Sequence, residues 1–422
     1  MYQKTVLDNG LRVVTHKMPG RASAALGIWI GAGGRYEDKL NKGIAHLLEH
    51  LCFKGTGKYS AFQIKETIEG VGGSLNAFTS EEFTCYLSKL IVRHLPLALD
   101  VLSDMVLAPL LTEKDMEKEK AVILEEIKMY RDLPQAYVNE LLDELLWPGH
   151  PLGMNLAGTP ESVSALSRSQ VNGFCRDFYH PGNIVVSVAG DIEHRQIIKY
   201  LSKVFSKAKA APELKFKPAD ENKQDAAQTK FFAKDTEQSH LAMAYPGYKR
   251  DHPDRHAMGL LHIVLGANMS SRLFNEVREK KGLAYEIGTQ ARYFYDTGAF
   301  FIHAGVDNRK IASAVSTILK EMEKIARFKV RKDEFGRAKE YYTGQLLMSL
   351  EDTLDHMLWV GEQEIALKRI KSQRDILAEV NKVTIEDLKR VAKDIFRNNK
   401  LSLAVVGPLP SQSQEEIVDL LK

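Results

Sequence analysis

Apolar positions recur along this chain in two rhythms, and the places where the rhythm changes divide it into elements. Thr5-Val6-Leu7 and Leu11-Arg12-Val13-Val14-Thr15 flank Asn9-Gly10, a hairpin signal because the tightest hairpin turns need positive φ at their centre. Residues 24–30 are almost continuously apolar and predict a buried strand, with 31–35 as the loop that follows. Helical spacing sets in over 43–53, 61–69, 95–105, 113–130, 136–146 and 169–179, with paired strands at 74–78 and 83–89. A strand at 183–189 and a short helix to Phe205 close this half.

From 207 to 227 the chain turns charged, Pro-containing and poor in large apolar residues, which reads as a linker with one strand-like interruption. The second half then repeats the first. A shift of 217 residues lays Val171, Phe174, Phe178, Val186, Val188 and Gly190 over Leu388, Val391, Ile395, Leu403, Val405 and Gly407. Each half thus ends in a helix, a strand and a Gly turn, as duplication of an α+β unit would leave it. The spacing predicts an α+β protein of two homologous tandem domains, 1–206 and 228–422, joined by 207–227.

Length agrees, since 422 residues exceed what one core usually holds. A hydrophobic fraction of 44% and a charged fraction of 27% describe an ordinary globular protein. The net charge of +3 offers no basic stripe, so nothing points to DNA or RNA. Three cysteines without a Cys-x-x-Cys spacing argue against a disulfide framework and suit a reducing compartment. No stretch approaches the roughly 18 apolar residues of a membrane span, and the N-terminus lacks an apolar signal core. A soluble, cytoplasmic protein is expected, with no membrane partner.

The chemistry concentrates in the helix over 43–53. Steps of about 100° per residue put His46, Glu49, His50 and Phe53 on one stripe, with Ile44, Leu47, Leu48 and Leu51 opposite. Two imidazoles one turn apart can bind one metal ion, and the carboxylate between them can reach a bound water without being a ligand. This His-x-x-Glu-His order is the inverzincin motif. It needs a third ligand. On the helix over 113–130, Met116, Glu119, Val122, Ile123, Glu126, Met129 and Tyr130 share a stripe, so two glutamates lie in line with residues that favour burial. Glu125 falls about 100° off that stripe, which makes Glu126 the better ligand and leaves Glu119 behind the ligands. Cys52 lies off the His stripe and reads as a small buried hydrophobe. The Gly31–Gly34 cluster lacks the Lys-Ser/Thr of a phosphate-binding loop.

His46-Leu-Leu-Glu49-His50, followed by Glu119 and Glu126, resembles the zinc signature of the pitrilysin (M16) metallopeptidases, in the two-domain branch that includes the mitochondrial processing peptidase and its bacterial relatives. Asn76-Ala77-Phe78-Thr79 and the run Arg278-Glu-Lys-Lys-Gly-Leu-Ala-Tyr285 extend the likeness over nearly the whole chain. The resemblance implies two LuxS/MPP-like metallohydrolase domains, each a mainly antiparallel sheet covered by helices, with the metal site in the first only. It implies one Zn2+ per chain on His46, His50 and Glu126, Glu49 as general base and Glu119 supporting catalysis. A strand with Asn76, Ala77 and Phe78 would pair with the backbone of a peptide or unfolded polypeptide, and Arg278 and Tyr285 would hold the substrate. The implied assembly is a homodimer closing as a clamshell chamber, each zinc facing the partner's Arg/Tyr pair.

On residues alone, Asn76–Phe78 also reads as a half-buried strand and Arg278 as part of a solvated helix end. Two further classes stay open: a non-catalytic partner subunit, which would typically have lost metal-site residues, and a metal-dependent peptide-binding scaffold, in which Glu49 would have no task. His262, the one histidine where the motif helix should recur, reads as packed or surface-exposed.

Overall fold

The computed structural model describes residues 2–212, 215–219 and 224–422. They form two units built to one plan, each a sheet with helices on both faces. The first comprises Met1–Ile127, Asn155–Lys217 and Leu347–Lys371, and the second Lys128–Met154, Pro218–Leu346 and Ser372–Lys422. Neither unit is a continuous stretch, in contrast to the spans 1–206 and 228–422. Helix Pro134–Leu146 belongs to the second unit and helix Thr353–Leu367 to the first.

The first sheet has six strands: β1 (Tyr2–Val6), β2 (Arg12–Lys17), β3 (Ser23–Ile30), β4 (Ser74–Thr79), β5 (Thr84–Ile91) and β6 (Ile184–Gly190), in the order β1-β2-β6-β3-β5-β4. All neighbours are antiparallel except β2 and β6. Gly10 has a φ of 87°, which accounts for the glycine at the β1–β2 turn. The second sheet has β7 (Gln228–Ala233), β8 (Gln238–Pro246), β9 (Ala284–Tyr293), β10 (Gly298–Asp307) and β11 (Ser402–Gly407), in the order β7-β11-β8-β10-β9, with β7 and β11 parallel. Apart from β1 the two orders correspond strand for strand. Helices Arg168–Phe178 and Ile385–Ile395 lie one 217-residue shift apart, and capping boxes open both, Ser167 with Gln170 and Thr384 with Asp387. The repeat seen in the apolar spacing is thus a repeat of structure.

On one face of the first sheet, Leu26, Ile28 and Val186 join the apolar sides of helices Ile44–Cys52, Leu95–Leu107 and Arg168–Phe178 in one core. Helix Thr353–Leu367 covers the other face, where Met357 and Val360 meet Trp29, Val185 and Cys85. In the second unit helix Pro134–Leu146 packs Val138, Leu141 and Leu142 against Ala242, Ala244, Phe301 and Val406. The described part of 207–227 holds no helix or strand; residues 213–214 and 220–223 of that linker lie outside the described residues. In place of a strand-like interruption, Phe216 lies under the guanidinium of Arg35, 4.1 Å from its ring centroid. No described helix is long and apolar enough to cross a membrane.

Close approach at Trp29 explains one glycine. A Cβ on Gly361 would lie 2.1 Å from Trp29 Nε1 and 2.7 Å from Ser187 Oγ, two atoms that hydrogen-bond each other at 2.8 Å. Gly361→Ala should destabilise the protein by about 1–3 kcal/mol through overpacking, despite the higher helix propensity of Ala. Gly336, also within a helix, has nothing within 4 Å of its would-be Cβ, so Gly336→Ala should be neutral or stabilising by up to about 1 kcal/mol. Chemical denaturation of the two variants decides; equal stabilities would mean that helix Thr353–Leu367 does not seat on Trp29.

Candidate metal centre

The helix carrying His-x-x-Glu-His spans Ile44–Cys52 and has no capping side chain of its own, because Gly43 occupies the N-cap at a φ of 93°. A Cβ there would lie 2.6 Å from the carbonyl oxygen of Ala157. The cap comes from upstream. Buried Glu37 accepts from Ala45 N–H at 2.8 Å through Oε1 and from Gly43 N–H at 3.1 Å through Oε2. Lys42 Nζ sits 3.0 Å from the same carboxylate, and it also donates to the carbonyl of Gly34 at 3.0 Å. Burial raises the Glu37 pKa, and the Lys42 charge opposes that rise. Ile44, Leu47, Leu48 and Leu51 are at most 1% exposed. Their burial fixes the helix rotation and turns His46, Glu49 and His50 the other way.

The second helix, Glu113–Asp132, starts where Thr112 Oγ1 accepts Asp115 N–H at 3.1 Å. Its buried line is Met116, Glu119, Lys120, Ile123 and Ile127. Val122, Met129 and Tyr130 are 49%, 51% and 40% exposed, so the buried stripe is narrower than the sequence suggests. Glu126 stands at its margin, next to the histidines. Its Oε2 lies 3.8 Å from His46 Nε2 and 3.9 Å from His50 Nε2, too far for hydrogen bonds. Among the described residues His46, His50 and Glu126 form the one group of at least three such side chains whose ligand atoms lie within 4.8 Å of one another.

This donor set fits a zinc-like ion. Bonds of about 2.0–2.1 Å in a tetrahedron separate ligand atoms by about 3.3 Å, roughly half an ångström less than the distances from Glu126 Oε2 to the two Nε2 atoms. Burial, with His50 nearby, lowers the His46 pKa to about 4, so its ring is neutral at neutral pH, the form that ligates. Its Nδ1 is buried without a hydrogen-bond partner among the described residues. His50 Nδ1 lies 3.1 Å from Glu119 Oε2, and Glu119 Oε1 takes a 2.6 Å ion pair from Lys54 Nζ. A carboxylate only accepts, so the proton must sit on His50 Nδ1, which leaves the Nε2 lone pair facing Glu126.

Glu49, 9% exposed, lies between the histidines, and burial raises its pKa against the pull of the Thr79 hydroxyl and of His50. Thr79 Oγ1 donates to Glu49 Oε2 at 2.5 Å. Thr79 ends β4, the edge strand that carries Asn76, Ala77 and Phe78, and β5 pairs with it on one side only. Asn76 is exposed, while Phe78 packs edge-on to Trp29. Cys52 is fully buried and accepts a hydrogen bond from Tyr86 OH at 3.3 Å, as a packed residue would.

Arg278 and Tyr285 lie together in the second unit. Arg278 is on the π-helical segment Phe274–Lys280, its guanidinium 4.7 Å from the Phe274 ring and 5.7 Å from the Tyr285 ring. Tyr285, near the start of β9, is 73% exposed. At a 216-residue shift Gly43-Ile-Ala-His46 lies over Gly259-Leu-Leu-His262, while Glu49 and His50 meet Leu265 and Gly266. His262 Nδ1 bonds Thr289 Oγ1 at 2.7 Å as a packed residue. Sequence reasoning missed Glu37, Lys54 and the bond from Thr79. The absence of an N-cap residue at Gly43 was a signal for the first, and the i+4 step from His50 for the second.

Residues 12–160 match the family described as Insulinase (Peptidase family M16), and residues 165–342 the Peptidase M16 inactive domain. An uncharacterized zinc protease of Streptomyces coelicolor is 36% identical over 99% of this chain and 92% of its own length. The uncharacterized zinc protease YmxG of Bacillus subtilis is 36% identical over 97% and 98%. The fold matches a crystal structure of a protease from Helicobacter pylori with a TM-score of 0.91 at 24% identity, over 96% of this chain and 99% of that one. With full-length relatives at this identity and both halves matched in order, the chain belongs to peptidase family M16.

Proposed function

We propose that this chain is a zinc-dependent endopeptidase acting on peptides or unfolded polypeptide segments, with one Zn2+ held by His46, His50 and Glu126. The observation that carries this reading is the meeting of two Nε2 atoms and one carboxylate oxygen beside a buried carboxylate, Glu49, on the same helix. Relatives named zinc proteases support it. When bound, zinc supplies Lewis acidity and brings the pKa of a coordinated water to about 7.

The protein's own groups do the rest. Glu49 takes a proton from the attacking water and returns it to the leaving amine, so no covalent intermediate is needed. Glu119, held by Lys54, keeps His50 in the ligating tautomer. The free edge of β4 at Asn76, Ala77 and Phe78 offers backbone groups to an extended chain, a mode of binding that reads little sequence. Arg278 and Tyr285 supply donors for the substrate carbonyl, where charge develops. The metal ligands and this pair belong to different units, and by the family resemblance we assign their meeting to a homodimer that closes a chamber, the pair of one copy serving the metal centre of the other.

Glu126→Gln should lose most of the bound zinc, whereas Glu125→Gln should keep it; elemental analysis showing the reverse would exchange the ligand between the two neighbours. Glu49→Gln should retain zinc and peptide binding but lose at least about 10²–10⁴-fold in turnover of a quenched fluorogenic peptide. Substantial turnover by the zinc-loaded variant would remove Glu49 as the base. Glu49→Gln and Arg278→Ala chains, each inactive alone, should recover up to about a quarter of wild-type activity when co-refolded. About half of the dimers would then be mixed, with one intact site of two. Proven heterodimers without activity would place the whole site within one chain.

A further inference from the structure

Glu49 has to be ionised to accept a proton, and it has to present one definite oxygen. Among the described residues the Thr79 hydroxyl is the only hydrogen-bond partner of its side chain. An ionised carboxylate can only accept, so the Thr79 hydroxyl is the donor in that bond. Thr84 Oγ1, 3.5 Å from Thr79 Oγ1, commits its own proton to the carbonyl of Ala32 at 3.0 Å. Thr79 gives its proton to Glu49 Oε2 at 2.5 Å and not to Thr84, whose oxygen is a full ångström farther away. The bond occupies Oε2 and leaves Oε1 for the proton in transit. Thr79 is also the last residue of β4 and pairs with Thr84 of β5, so the backbone that carries its hydroxyl is held by the sheet.

We propose that Thr79 is the positioning residue of Glu49: its hydroxyl selects the carboxylate oxygen that handles the proton and ties that carboxylate to the strand edge where the substrate lies. The inference builds on the reading of Glu49 as general base and adds a residue to which no role is otherwise attached. It makes the register of the edge strand a determinant of turnover, because a shift of β4 would move the hydroxyl away from Glu49.

Thr79→Val keeps the shape and removes the hydroxyl, while Thr79→Ser keeps the hydroxyl and removes the methyl group. A hydrogen bond to a charged group is worth enough that Thr79→Val should lower kcat by about 10–100-fold. KM and zinc content should stay at wild-type levels, and Thr79→Ser should restore kcat to within a fewfold. A Val variant with wild-type kcat, or Ser and Val variants equally impaired, would overturn the proposal, the second outcome assigning Thr79 to packing. Loss of zinc in the Val variant would overturn it too. In a Glu49→Gln background, Thr79→Val should change the residual rate by less than about twofold, since a residue acting through Glu49 has nothing left to act on. A full additive loss there would show that Thr79 acts elsewhere. High activity of Glu49→Gln alone would instead overturn the general-base reading, which keeps the two failures apart.

Discussion

Desolvation of the polar stripe on helix Ile44–Cys52 is the constraint around which the first unit is arranged. Burying Ile44, Leu47, Leu48 and Leu51 obliges His46, Glu49 and His50 to leave much of their water, and a buried charge without a partner costs several kcal/mol. Two of the three are answered from other elements, and the third sheds its charge. His46 stays neutral, His50 is met by Glu119, which Lys54 pairs in turn, and Glu49 by Thr79 at the end of β4. The helix N-terminus, left without a cap by Gly43, is met by Glu37 with its Lys42 counter-charge. A site of this kind cannot form from the motif alone, since its partners come from a loop, a strand edge and a second helix.

The second unit shows what the same scaffold is without that burden. Its strand order repeats the first, and its helix Arg255–Leu265 stands where the motif helix stands, yet Leu265 and Gly266 replace Glu49 and His50. His262 settles into a bond with Thr289. The fold therefore does not depend on the donors: the framework packs by its apolar faces in both units. What the second unit carries instead is the exposed Tyr285 beside Arg278.

Much of this was legible in the chain. The hairpin signal at 5–15, the apolar run at 24–30 and the 3.6-residue spacing at 61–69 and 113–130 all correspond to elements that formed, because turn chemistry and burial of one face are local requirements written into side-chain order. The repeat was legible for the same reason. So was the candidate ligand set, since His46 and His50 one turn apart and Glu126 on a helical stripe are consequences of helix geometry.

Other features were decided only by tertiary packing. Helices Pro134–Leu146 and Thr353–Leu367 each carry an apolar face, and nothing in such a face says which of two similar sheets it will cover. Exposure of Val122, Met129 and Tyr130 was hidden because an apolar residue at a helical spacing looks the same whether or not something covers it. The partners of Glu49, of Glu119 and of the helix N-terminus were invisible because polar contacts of a few ångströms join residues 30, 65 and 8 positions apart. Sequence order determined which faces are apolar and where donors recur along a helix. Only the packed chain could determine which polar atom lies within reach of which, because that depends on distances between elements that local periodicity does not encode.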